Sequence, residues 1–99
     1  MTYFVYMLKC VSSDKKRTYV GFTNNLKNRL KAHNSSKGAK YTKGNKWEII
    51  YKKRFLSKSK AMSYEYIFKH DRKKRLYIYN KNKWKFLYYF HIKKITQKI

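Results

Sequence analysis

The stretch "YFVYMLKCVSSDKKRTYVGFTNNLKNRLKAHN", residues 3 to 34, decides how the chain folds. Residues 3 to 11 are a continuous β-prone run, which is typical of a strand buried on both faces. The Ser- and Asp-containing segment 12 to 16 predicts a turn, and the second β-prone run "RTYVGF" follows it. The two runs therefore predict a β-hairpin, after which Thr23 or Asn24 can cap a helix.

Helical spacing begins directly after the hairpin. Leu26, Leu30 and His33 recur at i, i+4 and i+7, which predicts a helix over residues 25 to 33 with these three side chains on one face. Arg29 lies beside that face. It is one of only five arginines among the 27 Lys and Arg residues of the chain, so its position invites a specific explanation.

The following segments complete a small fold. Residues 35 to 46 form a loop rich in Gly, Ser and Lys, and "WEIIYKKRF", residues 47 to 55, predicts a third strand. Ser57 can cap a second helix, on which Glu65 projects on or next to the apolar side. We expect an α+β fold, in which a small three-stranded antiparallel sheet is flanked by helices.

The length of 99 residues predicts one domain, because a chain of this size cannot divide its apolar residues between two cores. Residues 1–70 form its core and residues 71–99 a basic, aromatic C-terminal extension, packed on the same domain or continuing it. The first half of the extension is predicted to be helical. Its aromatic residues could stack on nucleic-acid bases or pack back onto the core, and both alternatives stay open for Tyr77, Tyr79, Trp84 and Phe86.

Charge and cysteine content restrict the function. The chain has 27 basic and 4 acidic residues, a formal net charge of +23, which favours a polyanionic partner and nucleic acid first of all. The single cysteine, Cys10, excludes an internal disulfide and a Cys-based zinc site, and it fits a reducing, intracellular setting. The apolar N-terminus lacks a basic n-region and is too short for a membrane span, so we expect neither secretion nor a membrane partner.

An ordered set of residues resembles the GIY-YIG endonuclease superfamily over residues 3 to about 70. The resemblance is greatest to small single-domain GIY-YIG proteins and to the catalytic domain of junction-processing endonuclease subunits. Two departures, "FVY" in the first triplet and Val20 in the second, leave both tyrosines in place. The set comprises "VYM" (5 to 7), "YVG" (19 to 21), Arg29, His33, "GAKYT" (38 to 42), Trp47, and Glu65 in "AMSYEYIFK".

The resemblance implies cleavage of phosphodiester bonds in DNA with one divalent ion, Mg²⁺ or Mn²⁺, held by Glu65. It also implies that Arg29 contacts the phosphate, where a planar guanidinium can bind two oxygens and a lysine cannot. Tyr6 would be the general base, its pKa lowered from about 10 by the metal and by Arg29, and Tyr19 would position it, although the two assignments could be exchanged.

Further residues complete the implied site. His33 would orient a tyrosine hydroxyl or the scissile phosphate, and Gly21 would let the backbone approach the substrate closely. DNA contacts are expected from the helix and the following loop, at Lys31, Lys40 and Lys43.

The acidic residues independently favour a single metal ion. A site with two metals usually needs several carboxylates, whereas Mg²⁺ can be held by one or two, with water and phosphate oxygens as the other ligands. Three of the four acidic residues fall on predicted turns or edges. The four acidic residues of the chain are Asp14, Glu48, Glu65 and Asp71.

The predicted function is a Mg²⁺-dependent DNA endonuclease in repair, recombination or branched-DNA processing, to which a protein partner could supply specificity. Two alternatives stay open. One is a non-catalytic, basic nucleic-acid-binding module of the same fold, and the other an RNA-associated protein with a chance motif. For Glu65 itself the alternative is an i,i+4 ion pair with Lys69.

Overall fold

The computed structural model describes residues 1–13 and 15–82. Its strands form one antiparallel sheet with the order β2-β1-β3, so the predicted α+β fold with a three-stranded antiparallel sheet is confirmed. Asp14, Trp84 and Phe86 lie outside the described residues. In chain order the elements are β1 (Tyr3–Cys10), β2 (Thr18–Thr23), α1 (Leu26–Asn34), a 3-10 turn (Lys40–Thr42), β3 (Trp47–Phe55), α2 (Lys58–His70) and α3 (Arg72–Lys81).

The central strand β1 is buried on both faces, as its continuous apolar run predicts, because successive side chains of a strand point to opposite faces. Val5 and Met7 join one hydrophobic cluster with residues of α2 and α3, including Phe68. Tyr6 and Leu8 join a second cluster, against which the apolar residues of α1 pack. This alternation places Tyr6 on the side of the sheet that faces α1.

Polar side chains cap the helices and define where they begin. The prediction that Thr23 or Asn24 caps α1 is wrong, because the Asn25 side chain accepts a hydrogen bond from the backbone N–H of Asn28 at 3.1 Å. The Thr23 hydroxyl instead accepts from the backbone N–H of Asn25 at 3.1 Å, within the turn that leads into the helix. The predicted cap of α2 is confirmed, since Ser57 accepts from a backbone N–H of the first turn.

Edge strand β2 runs between two layers of the protein. Helix α1 and the 3-10 turn lie toward one face of the sheet, and α2 and α3 cover the other. Residues 71–82 of the predicted extension form the end of this second layer, where Ile78 of α3 is buried in the core. Across the part of the chain that the structure describes, every helix is too short or too polar to cross a membrane.

Candidate active site

The Tyr6 hydroxyl is the start of a chain of hydrogen bonds whose direction can be assigned. The Thr42 hydroxyl donates to the carbonyl of Ala39 at 2.8 Å, so it accepts from Nδ1–H of His33, also at 2.8 Å. In a neutral imidazole Nε2 then carries the lone pair. Tyr6 Oη lies 2.8 Å from this nitrogen and therefore donates its proton to it. The buried chain thus runs from Tyr6 through His33 and Thr42 to a backbone carbonyl.

His33 is completely buried, and its surroundings favour the neutral ring. Burial is the largest cause that lowers its pKa below the ordinary value of 6.5, and the positive charge of Arg29 adds to the effect. The neutral form is the one that can accept a proton from Tyr6. The structure thereby brings His33 to a tyrosine hydroxyl, one of the two contacts that its predicted role allowed.

The lowered pKa of His33 predicts that the protein becomes less stable as the pH decreases. As the pH drops below about 6.5, histidine in the unfolded chain binds a proton before buried His33 does, so the free energy of unfolding should decrease. Carboxylates titrate lower, and the chain has only four acids, so they contribute little in this range. Guanidinium unfolding between pH 7.5 and 5.5 measures the effect.

The exposed His70 provides the control for this measurement. His70→Gln should keep the pH dependence, whereas His33→Gln should flatten it. An equally steep loss of stability in both variants would contradict the assignment to His33.

Tyr6 is only 1% exposed, and burial raises its pKa to about 12. In the protein alone the pKa is therefore raised and not lowered as the sequence-based hypothesis required. A hydrogen bond and charge from Arg29 act in the expected direction, but burial outweighs them, and Tyr19 and Glu65 raise the pKa further. The Tyr19 ring centroid lies 6.3 Å from that of Tyr6, Arg29 of α1 reaches the Tyr6 hydroxyl with a hydrogen bond, and the charge of Glu65 on α2 acts on it.

Gly21 makes room for Tyr6, its direct partner in the pairing of β1 with β2. A Cβ atom at position 21 would lie 2.6 Å from Tyr6 Oη and 2.9 Å from Cζ, and 3.0 Å from Tyr19 Cε2. The glycine therefore has an internal reason, while the predicted close approach of the backbone to substrate stays a prediction. The side chain that needs the space is the buried phenol of Tyr6.

Gly21→Ala should destabilise the protein and displace the Tyr6 hydroxyl from His33. Inserting a methyl group into a packed site costs about 1–3 kcal/mol, which denaturant unfolding can measure. Tyr6→Phe removes the oxygen at the closest contact, so the Gly21→Ala, Tyr6→Phe double variant should lose less than the sum of the two single changes. Strict additivity of the two losses would show that the side chains do not meet.

The segment "GAKYT" holds His33 in place, a role that the sequence-based prediction did not give it. A Cβ at Gly38 would lie 2.5 Å from His33 Nδ1, and Thr42 accepts the proton of that nitrogen. Trp47 Nε1 donates to the carbonyl of Thr42 at 2.9 Å, which fixes the turn against β3. Gly38 and Thr42 were part of the family motif, but only their contacts with His33 explain them.

Aromatic rings extend from the site to the surface. The Tyr19 ring centroid lies 4.9 Å from that of His33 and 6.3 Å from that of Tyr41, with the two tyrosine rings 24° from parallel. Tyr41 is 48% exposed, and the guanidinium of Arg17 lies 4.6 Å from its ring centroid. Tyr19 is thus placed beside the Tyr6–His33 pair and next to an accessible aromatic surface.

The predicted DNA-contacting lysines are all exposed. Lys31 lies on α1 together with Arg29, Lys40 begins the 3-10 turn, and Lys43 follows it directly. These positions border the segment that holds His33. Their contact with DNA stays a prediction.

Glu65 on α2 is 17% exposed and forms an ion pair with Lys69, with 3.0 Å between Oε1 and Nζ. The alternative pairing weighed for Glu65 is therefore present, while its charge also acts on Tyr6. Residues 1–13 and 15–82 contain no group of three His, Cys, Asp or Glu side chains that could hold a metal ion. One carboxylate fits an ion that takes most of its ligands from water and phosphate, and such an ion would compete with Lys69.

Comparison with known proteins gives matches over most of the chain. A family model described as the GIY-YIG catalytic domain matches residues 2–80. The UPF0213 protein YazA of Bacillus subtilis is 44% identical over 82 residues, covering 80% of this chain and 80% of that protein. A UPF0213 protein of Limosilactobacillus reuteri is 41% identical over 76 residues, covering 74% and 76%. The solution NMR structure of a UPF0213 protein from Bacillus halodurans is 36% identical, covers 81% of this chain and 84% of that one, and has a TM-score of 0.48.

Proposed function

Because the chain belongs to the GIY-YIG family, we propose that it is a DNA endonuclease that hydrolyses phosphodiester bonds with the help of one divalent metal ion. The observation that carries this proposal is the convergence of five side chains at the Tyr6 hydroxyl, Tyr6 itself included. Four separate elements of the fold contribute these side chains. The five residues are Tyr6, Tyr19, Arg29, His33 and Glu65.

Tyr6 and His33 can act together as the general base. In this mechanism Tyr6 Oη takes a proton from the attacking water while its own proton moves to Nε2 of His33, 2.8 Å away. The raised pKa means that Tyr6 is a phenol in the resting site, so it relays a proton instead of starting as a phenolate. The resulting imidazolium still donates from Nδ1 to Thr42.

Arg29 can neutralise the charge that develops on the phosphate. Its guanidinium lies close to the Tyr6 hydroxyl, so a phosphate bound there would also be next to the attacking water. A planar guanidinium can donate two hydrogen bonds to the pentacovalent transition state, where they strengthen as charge accumulates. Tyr19 would help to position the nucleophile, and in the alternative assignment the two tyrosines exchange these roles.

Glu65 would hold the metal ion, Mg²⁺ or Mn²⁺. A bound ion supplies Lewis-acid stabilisation of charge on the phosphate oxygens. Loading the site requires that the Glu65 carboxylate exchange its ion pair with Lys69 for the metal. The protein contributes a single carboxylate, so water and the substrate complete the coordination.

The net charge of +23 suits a polyanionic substrate, and we propose DNA, including branched DNA in repair or recombination, within the cell. A protein partner could select the structure that is cut. The direct test incubates the full chain with labelled duplex, flap, four-way-junction and single-stranded DNA, with Mg²⁺, Mn²⁺ or EDTA. Metal-dependent products with at least one substrate are expected, and intact DNA in every condition would refute the proposal.

A second candidate is a nucleic-acid-binding module that keeps the fold without the reaction. The ion pair between Glu65 and Lys69 favours it, because this pair occupies the carboxylate that a metal would need. The same cleavage panel separates the two candidates. A binding module would show tight, steeply salt-dependent binding and no product after long incubation with metal.

A further inference from the structure

A cleft of about 230 Å³ runs along edge strand β2, directly beside the candidate active site. Tyr19 forms part of its wall, so the cleft continues from the catalytic residues. Helices α2 and α3 form the opposite wall through Lys69 and Arg75, and the exposed ring of Tyr41 lies at the other side. Apart from Tyr19, these residues have no part in the proposed reaction.

Arg75 on α3 carries an unusual donor. Its Nε is buried, yet it has no hydrogen-bond partner within the part of the chain that the structure describes, and it is the one buried side-chain nitrogen or oxygen there of which this is true. Buried polar groups are almost always paired, and a donor left unpaired costs stability. The Nε itself is closed to solvent, but the partly exposed Arg75 side chain lines the cleft, where an acceptor from outside the protein can reach it.

The surroundings of Arg75 select an anion. A second small cavity adjoins the first and shares Arg75 and Thr18 with it, and it is also lined by Lys16 and Arg72. Among the described residues that line these two cavities, four are basic and none is acidic. A phosphate placed beside Arg75 would therefore meet only favourable charge, along a path that begins at Tyr19.

Two further contacts indicate a nucleotide unit and not an isolated anion. Tyr41 is 48% exposed and stacked against Tyr19, while the Arg17 guanidinium lies 4.6 Å from its ring centroid, so a base next to the phosphate can pack against the exposed part of the ring or take the place of Arg17 on it. Lys69 also lines the cleft while it pairs with Glu65. An ion bound at Glu65 would release Lys69 to face the phosphate in the cleft.

We propose that this cleft binds a phosphodiester of the substrate strand next to the one that is cut, with Arg75 as its principal phosphate contact and Tyr41 against the neighbouring base. The inference rests on the proposed function, since it names where the substrate strand lies. Arg75 is a binding residue here, whereas Arg29 acts on the reacting phosphate.

The test compares Arg75→Met with Arg54→Met, a matched change of an exposed arginine on β3 at the opposite edge of the sheet. Fluorescence anisotropy with a labelled DNA oligonucleotide in EDTA, over a series of salt concentrations, measures binding without cleavage. Arg75→Met should weaken binding about fivefold to tenfold and reduce the slope of log affinity against log salt by about 0.7 to 0.9, as expected for one lost phosphate contact. Arg54→Met should change affinity by no more than about twofold.

The melting temperature of Arg75→Met distinguishes a binding role of Arg75 from a structural one, because loss of a structural contact would lower it. Arg75→Met removes an unpaired buried donor and keeps the apolar stem, so its melting temperature should equal or exceed that of the wild type. A lower melting temperature, or DNA binding that matches Arg54→Met, would overturn the proposal. Arg75→Lys is a second, independent variant: it keeps the charge, so the salt slope should stay unchanged while binding weakens, and wild-type affinity would contradict the inference.

Two controls separate this inference from its premise. Wild-type protein that binds DNA but yields no product with Mg²⁺ refutes the cleavage reaction, while a binding defect in Arg75→Met would still support the cleft. Competition with AMP distinguishes a strand from a free nucleotide. If AMP displaces DNA equally well from the wild type and from Arg75→Met, AMP competes at a site other than Arg75. That result would overturn the assignment of Arg75 as the phosphate contact.

Discussion

Arg29→Ala is expected to reduce the rate of metal-dependent DNA cleavage by about 10²-fold or more, while the affinity for DNA changes by less than about threefold. Any of the 27 basic residues can help to bind the polyanion, so losing one charge changes the affinity little. Arg29, in contrast, is the arginine next to Tyr6, where it can stabilise the transition state. Single-turnover rates with saturating enzyme measure the loss, and anisotropy in EDTA measures binding.

Two variants sharpen this expectation. Arg29→Lys keeps the charge but loses the planar pair of donors, so it should recover only part of the rate. Lys27→Ala, at an exposed position of the same helix, is the matched control and should cleave at nearly the wild-type rate. The pKa of His33 should also rise in Arg29→Ala, because the Arg29 charge contributes to lowering it. Cleavage by Arg29→Ala at a third or more of the wild-type rate would remove Arg29 from the mechanism.

Glu65→Gln is expected to abolish metal-dependent cleavage, with a loss on the order of 10²-fold or greater. The amide has nearly the same shape but no charge, so it is a poor ligand for Mg²⁺, and the part of the chain that the structure describes contains no cluster of three His, Cys, Asp or Glu that could hold the ion instead. The folded state should change little, since the ion pair with Lys69 contributes only a few tenths of a kcal/mol.

Glu48→Gln on β3 is the control for this prediction, because it removes the same charge from a different strand. It should retain cleavage. Mg²⁺ titrations of the rate in wild type, Glu48→Gln and Glu65→Gln would distinguish weakened metal binding from a lost catalytic step. If Glu65→Gln cleaves DNA at the wild-type rate, both the metal site and the role of Glu65 are refuted.

The candidate site divides into a part that local patterns predict and a part that they do not. Local patterns place Tyr6 and Tyr19 on two predicted strands and Arg29 and His33 on a predicted helix, but it is the resemblance to the GIY-YIG family that implies their roles in the site. The ordered motif brings Glu65 into the same prediction. Thr42 and Gly38 belong to that motif, but the sequence predicts no role for them, because their function depends on contact with His33.

Three predictions met contacts that local patterns do not reveal. The metal and Arg29 are predicted to lower the pKa of Tyr6; without the metal, burial outweighs Arg29 and raises the pKa to about 12, and the effect of the metal stays a prediction. The cap of α1 was expected at Thr23 or Asn24, but the turn uses the Thr23 hydroxyl on Asn25, and Asn25 becomes the cap. Gly21 is predicted to face the substrate, which stays a prediction, and the structure adds that it accommodates a side chain on the adjacent strand.

The sequence by itself determined the periodicities, and through them the order of strands and helices, the two-sided burial of β1 and the scarcity of carboxylates that favours a single metal ion. Only the tertiary structure decided the tautomer of His33, the raised pKa of Tyr6 and the unpaired Nε of Arg75. Periodicity is a property of residues two apart in a strand and three or four apart in a helix. A pKa, a tautomer and an unpaired donor depend on burial and on groups that approach through space from other elements, such as Arg29 and Glu65 beside Tyr6.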